Sequence, residues 1–107
     1  MDQYTDISSL DDEVVIDLAL FFKIFGDMTR LKILFSLING EFTVTDLISK
    51  LGLNQSTISH QIGLLKRMNL VKSRREGKSI FYSLDDEHIN SILTQGVTHI
   101  LEKWKTN

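Results

Sequence analysis

From Asp86 to Glu102 the chain reads Asp-Glu-His-Ile-Asn-Ser-Ile-Leu-Thr-Gln-Gly-Val-Thr-His-Ile-Leu-Glu. Ile89, Ile92, Leu93, Val97, Ile100 and Leu101 recur at helical spacing and no proline interrupts them, which predicts one long helix. The stretch holds two of the three histidines, each with a carboxylate nearby. His88 and His99 point nearly the same way at about 100° per residue, but lie about 16 Å apart along the axis. A divalent ion with ligands at roughly 2 Å cannot take both from one helix. A second, antiparallel copy across a two-fold axis removes that limit, because opposed positions then share a constant index sum. His88 opposite His99 and Asp86 opposite Glu102 satisfy nearly the same sum. A dimer whose helices cross near Leu93 and Thr94 would therefore gather Asp86 and His88 of one protomer with His99 and Glu102 of the other, twice. The plainer reading is a solvated helix face whose acids and histidines fall at these spacings by chance.

The chain has no cysteine, so any metal must be held by imidazole and carboxylate. That donor set suits zinc, with cobalt or nickel as further candidates. With 107 residues, 42% of them hydrophobic, the chain fits one domain with a core of its own. No apolar run is long enough to span a membrane. The N-terminus is acidic and lacks a basic-then-apolar signal region, so a cytoplasmic location is the default expectation. The net charge of −2 looks wrong for a nucleic-acid binder, but the distribution matters more. Lys50, Lys66, Arg67, Lys72, Arg74, Arg75 and Lys78 face a single acid, Glu76, between positions 50 and 78, whereas the acids crowd before Thr29. A basic middle is compatible with DNA, although charge alone equally describes an ordinary solvated face.

Taken in order, residues 1–10 read as a mobile tail. Asp11 to Phe25 is apolar on several sides, more than one small core needs, and reads as part core and part dimer surface. Asp27 caps a second helix that carries Leu31, Ile33, Leu34, Leu37 and Ile38 inward, with Arg30 and Lys32 outside, and stops at Asn39-Gly40. Thr43-Val44-Thr45-Asp46 is a capping-box pattern opening a short helix over 44–51. Gly52 and Asn54 then lead into another helix, with Ile58, Ile62, Leu65 and Met68 on one stripe. Two helices joined by so short a glycine-containing turn, over 43–68, form a helix-turn-helix. The opposite stripe of the second helix carries Gln55, Ser56, Ser59, His60, Gly63 and Arg67, small and hydrogen-bonding near the positive helix end. Over 70–84 the alternation around Glu76-Gly77-Lys78 predicts a β-hairpin with Arg74, Arg75 and Lys78 at its tip. A basic hairpin after a helix-turn-helix is a wing. Asp85 or Asp86 then caps the last helix, over 86–104.

These features resemble the ArsR/SmtB family of dimeric metal-responsive repressors over about residues 14–104. Phe25-Gly26-Asp27-Met28-Thr29-Arg30-Leu31-Lys32-Ile33-Leu34 is similar to that family's signature into its second helix, and Gln55-Ser56-Thr57-Ile58-Ser59-His60-Gln61 to its recognition helix. Asp86, His88, His99 and Glu102 resemble the zinc site that its C-terminal helices build across the dimer. Members that sense soft metals carry Glu-Leu-Cys-Val-Cys-Asp-Leu where this chain has Glu41-Phe42-Thr43-Val44-Thr45-Asp46-Leu47, so a thiolate site is absent. In relatives a ligand histidine bonds a backbone carbonyl just after the recognition helix, and the matching place here is Asn69.

The expectation is a mainly α winged helix-turn-helix of order ααααββα, a single domain that forms a homodimer. Its expected function is a zinc-responsive repressor. The metal-free dimer binds double-stranded operator DNA through Gln55, Ser56, Ser59, His60, Arg74, Arg75 and Lys78. Zinc, two per dimer on Asp86, His88, His99 and Glu102 with ligands from both protomers, weakens that binding, a sign that comes from the resemblance. His60 lies far in sequence from the acid–histidine cluster and reads as a DNA contact or a structural residue. The alternative is a regulator of the same family with a non-metal effector or a vestigial metal site. An enzyme is disfavoured, because a catalytic zinc keeps an open position that this quartet would fill, and no phosphate loop or nucleophile–base pair accompanies it.

Overall fold

The structure is a computed structural model of the chain and describes residues 6–105. Its elements are α1 (Asp12–Phe25), α2 (Met28–Ser36), α3 (Val44–Leu51), α4 (Gln55–Arg67), β1 (Val71–Glu76), β2 (Ser79–Leu84) and α5 (Glu87–Lys103). The order is ααααββα, as the sequence predicts. Of the expected tail, residues 1–5 lie outside the described residues. Asp6 closes a turn, its carboxylate accepting hydrogen bonds from Ser8 and Ser9.

Every helix after α1 starts where a short polar side chain takes orphan amides. The Asp27 carboxylate accepts from Arg30 N at 2.9 Å, and Asn54 accepts from Thr57 N at 2.8 Å. Thr43 and Asp46 form the full capping box, each side chain taking the other's backbone N–H. α2 stops at Ser36, sooner than Asn39-Gly40. Its bonds tighten from i−4 to i−3 spacing, Leu37 N to Leu34 O and Ile38 N to Phe35 O, and this turns Leu37 into the core. Gly52, at φ +69°, ends α3 in a left-handed conformation that glycine adopts without steric cost, and Gly52 to Asn54 make the turn into α4.

The core is one cluster. Ile33 and Leu34 of α2, Leu47 of α3, and Ile58, Ile62 and Leu65 of α4 meet at its centre. Ile24, Leu70, Val71, Leu84, Ile89 and Leu93 bring in the end of α1, the base of the hairpin and the start of α5. The hairpin pairs Val71 with Leu84 at its base and Glu76 with Ser79 at its tip. Along one face burial fades from Val71 and Leu84 to the exposed Arg75 and Ile80. Gly77 has φ +62° and the following Lys78 does not share the positive φ, the pattern of a two-residue type II′ turn.

α4 ends in a motif that helical periodicity does not announce. Asn69 has φ +63°, Leu70 N donates to Leu65 O at 2.9 Å, and Asn69 N donates to Lys66 O at 3.1 Å. This is a Schellman ending with asparagine in the left-handed position, and it packs Leu70 beside Leu65 in the core. It fixes the angle at which the hairpin leaves α4. Asn69→Gly should therefore be tolerated. Asn69→Val should cost about 1–2 kcal/mol, read from urea unfolding at a fixed protomer concentration.

Candidate functional site

Two surfaces carry the chemistry. The first is the outer face of α4 with the hairpin. Gln55, Ser56, Ser59 and His60 are all exposed along the first two turns of α4, while Ile58 and Ile62 on the opposite stripe are buried. No acid occupies the first turn, so the positive end of the helix is open to an anion. Ser56 Oγ donates to Asn54 Oδ1 at 2.9 Å, which ties this hydroxyl to the cap. Arg75 and Lys78 are exposed at the hairpin tip, where Arg75 Nε donates to the Gly77 carbonyl at 3.1 Å.

Arg74 differs from its neighbours. Alternation puts it on the opposite face of β1 from Arg75, across from Phe81. Its Nε donates to Glu41 and its Nη1 to Glu76, both at 2.7 Å, and its guanidinium lies 4.7 Å from the Phe81 ring centroid. The hydrogen bond from Arg74 holds the Glu41 carboxyl below its usual range. Glu41 was not singled out in the sequence, because nothing in local spacing links it to a residue on the wing. Arg30 also departs from expectation. Lys32 is exposed on α2, but Arg30 is drawn inward, its Nε donating to Ile24 O at 2.9 Å and its Nη1 to Gln61 Oε1 at 3.4 Å. It bridges the end of α1 to α4.

The second surface is α5. Asp86, and not Asp85, is the N-cap: Oδ1 accepts from His88 N at 2.9 Å and Ile89 N at 3.3 Å. Its other oxygen, Oδ2, lies 3.2 Å from His88 Nδ1. The side-chain hydrogen bond with His88 lowers the Asp86 pKa, with the two backbone amides adding to it. A carboxylate whose pKa falls on folding contributes stability above its ordinary range and loses it as the pH drops through the lowered value. His99 and Glu102 share one shallow depression with Gln95 and Thr98 near the far end of α5. All four expected ligands are exposed on this helix. Among the described residues of one protomer, no three His, Asp or Glu side chains converge closely enough to hold a metal. Each end of α5 carries one imidazole and one carboxylate.

The remaining large feature is apolar. Along α1, Val15, Ile16, Leu18, Leu20 and Phe22 are exposed, Ile16 at 65%. On α5 Val97 and Leu101 are exposed, as is Trp104 just after its end, at 70%. Between them runs an apolar groove of about 420 Å³ whose walls include Phe22, Phe25, Phe35, Ile92, Val97 and Ile100. No helix among the described residues is long and apolar enough to cross a membrane.

A helix-turn-helix with an exposed polar recognition face and a basic hairpin beside it defines the chain as a winged helix-turn-helix DNA-binding protein. Residues 27–73 match the bacterial regulatory protein arsR family. The cadmium resistance transcriptional regulatory protein CadC homolog of Staphylococcus aureus is 39% identical over 84 residues, covering 78% of this chain and 69% of that protein. The transcriptional repressor SmtB homolog of a Synechocystis strain is 33% identical over 97 residues, covering 91% and 72%. The solution structure of apo-NmtR superposes with a TM-score of 0.79 at 32% identity, covering all of this chain and 88% of that one. The chain belongs to the arsR family, whose members are transcriptional regulators and not enzymes.

If Asp86 is the expected metal ligand as well as the cap of α5, its two roles are separable. Asparagine caps a helix as well as aspartate does, but removes the negative donor. Asp86→Asn should therefore keep thermal stability close to wild type while losing affinity for divalent metal. Asp86→Ala should lose both, with a melting temperature several degrees lower at the same protomer concentration.

Proposed function

We propose that this chain is a dimeric metal-responsive transcriptional repressor whose metal-free form binds operator DNA. The observation that carries the reading is the arrangement on α5, with Asp86 against His88 at one end and His99 beside Glu102 at the other. Each end is incomplete alone, and an antiparallel second copy would complete both. Two imidazoles and two carboxylates fit zinc, with cobalt and nickel as the nearest competitors. Once bound, the metal would supply a cross-link between protomers. The exposed apolar faces of α1 and α5 support the dimer, since a second copy would remove them from water.

Gln55, Ser56, Ser59 and His60 would read base edges in the major groove, and Arg75 and Lys78 would meet phosphates. Asp86 and His88 of one protomer, tied to His99 and Glu102 of a second, would fix the crossing of the two α5 helices. Asp85 N donates to Leu70 O at 2.9 Å, and Leu70 belongs to the motif that ends α4. The start of α5 and the end of the recognition helix would then shift together. Names among the relatives support a metal response, with cadmium resistance in one of them, and support repression in another. Zinc is our assignment from the donor set. The second reading, a regulator with a vestigial site, draws on the engagement of Asp86 as the cap of its own helix.

Two measurements test this. A heterodimer carrying His88→Ala in one protomer and His99→Ala in the other should keep one intact site, because both lesions fall in the same cross-protomer site. No tight zinc in that heterodimer, against two per wild-type dimer, would overturn the shared site. Operator affinity at fixed salt should fall about 5–150-fold with saturating zinc, and His99→Ala should lose most of that response. Zinc that tightens wild-type binding would reverse the proposed sign.

A further inference from the structure

We propose that Arg74 is a positioning residue for the wing and not a DNA contact, acting with Glu41 and Glu76 as a strut that holds the hairpin against the helix-turn-helix. The proposal rests on the DNA-binding reading above and reassigns one of its residues. A two-stranded hairpin is marginal by itself and needs to be held. Its base is anchored by Val71 and Leu84 in the core. Further out, the segment between α2 and α3 takes over. Phe42 N donates to Tyr82 O at 3.0 Å and Tyr82 N to Phe42 O at 2.9 Å, so Phe42 pairs with the edge of β2. One residue earlier, Glu41 reaches Arg74 on the neighbouring strand.

Arg74 is held from three sides, by two different carboxylates and by the Phe81 ring. Its planar fork allows this, and a lysine ammonium would not reproduce the geometry. A phosphate approaching Arg74 would meet a guanidinium whose charge is already matched by Glu41 and Glu76, with both carboxylates beside the DNA backbone, like charge against like. The hydrogen bond from Arg74 favours the ionised Glu41, so this repulsion persists at neutral pH. Exposed ion pairs contribute little to global stability. The consequence of this one is therefore where the wing points. Arg75 and Lys78 are exposed at the tip as the groups the strut would aim.

The test compares Glu41→Gln, Arg74→Lys and the double variant by operator affinity at fixed salt, and follows amide exchange of Phe42 and Tyr82 in the DNA-free protein by NMR. The strut predicts that each single variant weakens duplex binding by about threefold or more, and that the double variant is no worse than the weaker single, because all three break one interaction. It also predicts faster exchange at both amides. If Arg74 instead contacts phosphate, Arg74→Lys keeps the charge and binds near wild type, Glu41→Gln binds equally or more tightly, and exchange is unchanged; that result overturns the proposal. Additive losses also overturn it. Wild-type protein that binds no duplex would refute the DNA reading, while the exchange rates would still decide the strut.

Discussion

The packing of α4 into the notch between α2 and α3 is the interaction on which the rest of the molecule depends. Ile58 and Leu65 are fully buried against a cluster that includes Leu34 and Leu47. Burying side chains of this kind contributes about 1.5–3 kcal/mol each. The inner stripe of α4 is therefore committed to the core, and the outer stripe has to face solvent. Gln55, Ser56, Ser59 and His60 are presented for that reason. A substitution that loosened Leu65 would reach the outer face without touching a polar residue.

Leu70 is the junction between the DNA face and the α5 surface. Its N–H closes the end of α4 on Leu65 O, and its carbonyl accepts from Asp85 N, one residue before the cap of α5. Its side chain is fully buried. Under the proposed function, this bonded junction would carry a shift from one surface to the other. The left-handed Asn69 beside it sets the direction in which the hairpin leaves.

The protomer leaves a broad apolar surface uncovered. Helix α1 carries apolar side chains to solvent along its length, with Ile16 and Phe22 more than half exposed. The groove beside α5 continues that surface. Both half-sets of potential ligands lie on the same helix that borders this groove. Folding, assembly and metal response would thus draw on one surface, which explains how a chain of 107 residues could serve all three.

Most of the fold was legible in the sequence. Helix spacing, the caps at Asp27, Thr43 and Asn54, and glycine at the turns are local signals, and each found its partner within a few residues. The acid–histidine pattern on α5 was legible for the same reason, because a helix converts spacing into direction. What lay beyond the sequence depended on side chains far apart in the chain. Arg74 read as one more basic residue at a tip until Glu41, 33 positions away, was seen bonded to it. Arg30 read as an outer residue until Gln61 and the Ile24 carbonyl were found at its guanidinium. Asp85 and Asp86 were equivalent candidates for one cap until the bond from Asp85 N to Leu70 O fixed which carboxylate faced the helix. Periodicity fixes which face of an element turns inward, because burial acts on every residue of the stripe at once. Which single charged group meets which is decided only when the packed elements bring them within hydrogen-bond reach.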